Sequence, residues 1–142
     1  MENTKRLAML MVGLAMIASL AMVGCAKKAT EVSVSKLQRI HFDYDQYNVK
    51  PEYKGVMKDN AKWMKVKGKS VVIEGHCDER GAAEYNIALG DRRAKSSKTY
   101  LSNLGSDAKK ISTISYGEER PLSNCHTESC WSQNRRTEFV GK

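Results

Sequence analysis

No serine in this chain of 142 residues stands in a G-x-S-x-G elbow, and no H-E-x-x-H segment occurs. Two common hydrolase signatures are therefore missing. No segment repeats another, which excludes a repeat architecture. Of the four cysteines, Cys125 and Cys130 stand at C-x₄-C spacing without the second pair that a structural zinc site needs. Asp43, Asp45 and Gln46 lack the central Gly and closing Glu of an EF-hand, so neither a metal nor a cofactor is expected. His76, Cys77 and Asp78 are adjacent, and consecutive side chains point different ways, so they form no nucleophile–base–orienter relay. His41 and His126 have no supporting constellation. No enzyme is expected, and the length suits one domain rather than two.

Long apolar runs are also scarce. The one present, Leu7 to Val23, has 17 residues, the low edge for crossing a bilayer of about 30 Å. Lys5 and Arg6 precede it and Gly24-Cys25 ends it, the form of a secretory signal over residues 1–24. Met22-Val23-Gly24-Cys25 resembles the bacterial lipobox, in which the cysteine is diacylated and begins the mature chain. Several acyl chains anchor firmly where one binds reversibly. Ala26 follows in place of Asp, which by resemblance to enteric sorting implies the outer membrane, with the domain in the periplasm. Residues 25–37 are small, polar and basic and read as a lipidated N-terminus and tether to a domain over 38–142.

Without the signal, 22 basic residues face 15 acidic ones, a balance suited to an anionic partner such as the cell wall. Export argues against nucleic acid. The nearest approach to a basic block, Lys62, Lys65, Lys67 and Lys69, reads as a solvated face. In an oxidising compartment Cys125 and Cys130 can pair, leaving Cys77 free; pairing of Cys77 with either remains open.

Along the chain, alternation places a first strand over Leu37–Tyr44. Pro51 opens a helix with Tyr53, Val56, Met57, Asn60, Trp63 and Met64 on its apolar stripe, ended by Gly68. Ser70–Gly75 reads as a central strand covered on both faces. A loop to Gly81 follows, then a helix from Ala83 to Leu104 whose buried stripe is Tyr85, Leu89, Ala94, Ser97, Tyr100, Leu101 and Leu104. Gly105 suits its C-terminus. Ile111–Tyr116 is a third strand, Gly117–Ser132 a loop, and Arg136–Val140 a last strand. The expected class is α+β: a two-layer β-α-β-α-β-β sandwich with two main helices on one face of a four-stranded mixed sheet.

The chemistry concentrates at GHCDERGAAEYNIALGDRRA, residues 75–94. The acidic and basic residues between Gly75 and Gly81 can be read as an ordinary exposed turn. Against that, Glu74, His76, Asp78, Glu79, Arg80 and Asn86 crowd the start of one helix, whose free N–H groups favour a carboxylate. Asp78 suits an ammonium, and the Arg93 guanidinium is a fork for a carboxylate. Together they fit a zwitterionic end group. Arg93 lies some 13 Å into the helix at about 1.5 Å per residue, so the loop must fold back over the first turns. Glycines at 75 and 81 allow such a bend. His76 reads as a satisfied histidine bracing the loop.

HFDYDQYNVKPE at 41–52, EGHCDERGAAEYNIALGDRRA at 74–94, ISTISYGEERPL at 111–122 and NRRTEF at 134–139 together resemble the family that shares the C-terminal domain of outer-membrane protein A, and within it the peptidoglycan-associated lipoproteins. The resemblance runs from about Ile40 to the end. It implies non-covalent binding of the diaminopimelate in the peptide stem of peptidoglycan. The family's loop aspartate falls on Asp78 and its helix arginine on Arg93; Asn86 and Leu89 fill intervening motif positions. The segment Phe42 to Asp45, Asp43 included, matches the one lining the pocket, Gly81 supplies backbone, and Arg135 and Arg136 match the basic pair near the last strand. Implied too are a lipid on Cys25, a TolB-like periplasmic partner of the Tol system, and support of envelope integrity and constriction at division. Cys77 stands where Thr or Ala is common, and Cys125 and Cys130 embellish a loop that often lacks them.

Overall fold

The computed structural model describes residues 36–142. The expected signal peptide, the lipobox cysteine Cys25 and all but the last two residues of the expected tether lie outside the described residues. Four strands, β1 (Ile40–His41), β2 (Val71–His76), β3 (Ile111–Gly117) and β4 (Arg136–Gly141), form one mixed sheet in the order β1-β4-β2-β3. β2 runs parallel to β3 and antiparallel to β4, and β1 pairs antiparallel with β4. Among the described residues three α-helices accompany them: α1 (Lys54–Lys67), α2 (Ala83–Asn103) and α3 (Glu128–Asn134). The expected helix count of two is thus corrected. Seven residues of ESCWSQN are too few for a readable stripe.

The helices pack on one face of the sheet around Ile40, Phe42, Met57, Met64, Val71, Ile73, Ala94, Leu101, Ile111 and Phe139. β2 is central in order but is covered by helices on one side only. Val71 and Ile73 face the core, while Val72 and Glu74 are half-buried on the other face. On α2 the buried stripe is Asn86, Leu89, Gly90, Arg93, Ala94, Ser97 and Leu101. Tyr85 and Leu104, expected on it, are exposed. Gly68 ends α1 in the left-handed region at φ 65°, where a Cβ is disfavoured.

β1 is shorter than its alternation suggests. After Phe42 donates its N–H to the Arg135 carbonyl (2.9 Å), the chain turns, with Asp45 at φ 55° and the Gln46 N–H reaching the Asp43 carbonyl (3.2 Å). The approach to β1 is fixed by Asn60 on α1. Its amide accepts from the Gln38 N–H (2.9 Å) and donates to the Gln38 carbonyl (2.8 Å), satisfying both groups of one residue as a neighbouring strand would.

Candidate functional site

α2 lies so close to β2 that neither Gly75 nor Gly90 has room for a side chain. A Cβ on Gly75 would overlap the Gly90 carbonyl, and one on Gly90 would overlap the Ser115 hydroxyl. Close approach, rather than a bend, is what position 75 requires. Gly81, at φ 107°, does supply the expected turn.

Arg93 on α2 is fully buried, and its fork is committed to backbone. Nε donates to the Gln46 carbonyl (2.8 Å), Nη1 to the His76 carbonyl (2.8 Å), and Nη2 to the Asp43 carbonyl (3.2 Å). Nη1 also meets the Cys77 sulfur at 3.4 Å. One buried cation thereby gathers the turn after β1 and the end of β2 around itself. The Phe42 ring lies 5.2 Å from its guanidinium carbon. Burial pushes the Arg93 pKa down and that of the neighbouring Cys77 thiol up to about 11, so the thiol stays protonated at neutral pH.

Asp78, also buried, is held by two arginines. Arg80 donates from Nη2 (2.7 Å), Nε (3.1 Å) and its own backbone N–H (3.1 Å), and Arg135 donates from Nη1 (3.2 Å). Burial favours the neutral acid, but these bonds outweigh it and hold the Asp78 carboxyl below the usual range. Arg135 is the fixed member, buried and donating to the Phe42 carbonyl (3.0 Å) as well as to Glu128. Arg80 is more open, its guanidinium 4.2 Å from the rings of both Tyr44 and Trp131.

Around these groups lies a cavity of about 200 Å³, lined by Tyr44, Asp45, Cys77, Asp78, Arg80, Gly81, Tyr85, Asn86, Leu89, Arg93 and Arg135. Seven expected residues thus meet in one place: Asp45, Asp78, Gly81, Asn86, Leu89, Arg93 and Arg135. Phe42 and Asp43, expected in the lining, stand behind it instead. Phe42 is core, and Asp43 presents its carbonyl to Arg93 while its carboxylate pairs with Lys50 at 3.1 Å. Asn86 ties the loop to the helix, donating to the carbonyls of Asp78 (3.3 Å) and Arg80 (3.2 Å) and to Glu118. Tyr85 donates to Asp45 across the rim.

Sequence reasoning counted Arg80 only among the charges crowding the helix start, put Tyr85 on the buried stripe, gave Tyr44 no role of its own within the lining segment, and missed the segment carrying Trp131. Cys125 and Cys130 are disulfide-bonded, their Cα atoms 5.6 Å apart, and Cys77 is free and buried. Glu79 accepts from the Trp131 indole (2.8 Å) and pairs with His126 (2.7 Å), docking this segment on the loop. The sequence signal was an arginine between two glycines, with aromatics flanking the acidic motifs.

His76 is buried, yet neither ring nitrogen has a hydrogen-bond partner, so the satisfied histidine expected here is corrected. Its ring stacks on Tyr116 with centroids 5.5 Å apart, and the Arg120 guanidinium carbon lies 3.6 Å from the Tyr116 ring centroid. Burial, and then the nearby Arg136, lower its pKa from 6.5 to about 4. Between those values the unfolded chain binds a proton that the folded domain does not, so this contribution to stability is present above pH 6.5 and is lost as pH falls toward 4. His76→Phe should keep the stack and flatten that fall, read as urea midpoints across the window.

A family model described as the OmpA family matches residues 41–135. A peptidoglycan-associated lipoprotein of Mesorhizobium japonicum is 37% identical, the match covering 87% of this chain and 86% of that one. One from Pseudomonas aeruginosa is 44% identical over 77% of this chain and 65% of that one. Among solved structures, the peptidoglycan-associated lipoprotein of Burkholderia pseudomallei superposes with a TM-score of 0.72 at 36% identity, over 74% of this chain and 90% of that one. The chain belongs to the OmpA family, and within it to the peptidoglycan-associated lipoproteins.

Proposed function

We propose that this protein is a lipid-anchored outer-membrane protein whose periplasmic domain grips peptidoglycan without chemistry, through the diaminopimelate of the peptide stem. Acylated Cys25 holds the membrane, and the cavity beside α2 holds the wall. Asp78 takes the ligand ammonium, which displaces Arg80, the more open of the two arginines on that carboxylate. Exchanging one cation for another leaves the buried carboxylate compensated throughout. The positive charge of Arg93 and the unpaired N–H groups at the start of α2 receive the ligand carboxylate. Asn86 and the backbone at Gly81 hold the adjoining peptide. A TolB-like periplasmic protein of the Tol system is the second partner, and through it the domain supports envelope integrity and constriction at division.

One observation supports the reading above all others: a buried carboxylate and a buried guanidinium wall the same small cavity at the N-terminus of α2. Sedimentation with purified sacculi tests it. The protein should pellet with the wall, and free diaminopimelate should release it. Pelleting that added diaminopimelate leaves unchanged would reject the site.

A further inference from the structure

A second concavity lies at the far end of α2. Lys58, Lys62 and Lys65 of α1 and Lys110 before β3 border a groove of about 560 Å³, floored by Ala61, Met64 and Leu104. All four lysines are exposed. Lys58, Lys62 and Lys65 make no ion pair among the described residues, and Asp107 is the single acidic group in the lining. Lys110 donates to the Gly68 carbonyl (3.0 Å), bridging the groove to the end of α1. A merely solvated lysine face has no need of a concave apolar floor, and Leu104 is left 37% exposed there.

The position of the groove identifies its occupant. α2 has 21 residues and is about 30 Å long, so the cavity along its first half and this groove at its other end are set well apart. The described chain begins at Lys36, which lies with Lys69, Trp63 and Gly141 around a shallow depression next to Gly68. The described chain thus begins at the lysine-bearing end. Residues 25–35 extend at most about 40 Å, within easy reach of a membrane.

We infer that this groove docks on the anionic phospholipid headgroups of the membrane that holds the acyl anchor, orienting the cavity toward the wall. Lysine ammonium groups meet the phosphates, and the Met64–Leu104 floor accepts the first glycerol and acyl carbons. This rests on the anchoring reading above.

Lysine footprinting of the full acylated protein tests it, using phosphatidylcholine vesicles and vesicles with part of that lipid replaced by phosphatidylglycerol. With phosphatidylglycerol, acylation of Lys58, Lys62, Lys65 and Lys110 should slow relative to Lys95, by roughly fivefold where a lysine is engaged, the equivalent of about 1 kcal/mol at an anionic surface. High salt should remove the protection. In the double variant Lys62→Glu with Lys65→Glu, protection of Lys58 and Lys110 should vanish, while vesicle retention and sacculus pelleting persist. Equal rates in both vesicle types overturn the inference, as does protection that appears only when sacculi are added. A protein that stays with neither vesicle sinks the anchoring reading and this one with it. Loss of sacculus pelleting alone indicts the wall site instead.

Discussion

Gly75→Ala should cost the domain at least about 3 kcal/mol, the upper range for forcing one methyl into a packed interior. The new Cβ would meet the Gly90 carbonyl, which is backbone and cannot rotate away. Either α2 withdraws from β2 or the strand distorts. Both movements open the wall of the cavity, because Asp78 follows β2 and Arg93 rides on α2. Thermal melts should show a drop of more than roughly 12 °C for a domain of this size. Any folded remainder should pellet poorly with sacculi. Gly55→Ala is the control, since a Cβ there meets nothing within 4 Å. A Gly75→Ala protein with an unchanged midpoint would mean that the two backbones do not touch.

Asp78→Asn should weaken sacculus binding by roughly 30-fold or more, the effect expected on truncating one partner of a buried charge pair. The shape is kept and the charge is lost. Arg135 retains Glu128 and the Phe42 carbonyl, so the stability loss should be much smaller than the binding loss. Arg93→Ala should behave differently. Three backbone carbonyls and their turn depend on Arg93, so that variant should lose stability and binding together. Comparing urea midpoints with bound fractions separates the two roles. Equal losses of stability in both variants would remove the distinction drawn here between a residue that serves the ligand alone and one that also organises the site.

The contrast between these residues shows what was legible in the sequence. Periodicity located α1, α2 and three of the strands, because each buries a continuous stripe or a β-branched run. It overextended β1, because the turn after Phe42 is imposed by Arg93, some fifty residues later in the chain. It also missed α3, whose seven residues are held by a disulfide and by Glu79 rather than by a stripe of their own. The charges of the site were readable as types. Their partners were not, since Asp78 is satisfied by one arginine two residues away and another 57 residues away. A fork drawn from sequence toward a ligand carboxylate proves to be holding the protein's own carbonyls.

β1 contributes only two residues to the sheet, at its edge, and the chain leading to the lipid joins the domain directly ahead of it. When membrane and wall are pulled apart, tension enters the fold there and not at the broad β2–β3 pairing. The Asn60 clamp on Gln38 and the Arg135–Phe42 bonds are then the rivets that keep the edge from peeling, and the second of these sits beside Asp78. On the proposed reading, a mechanical load on the envelope would therefore be felt first by the residues assigned to the wall.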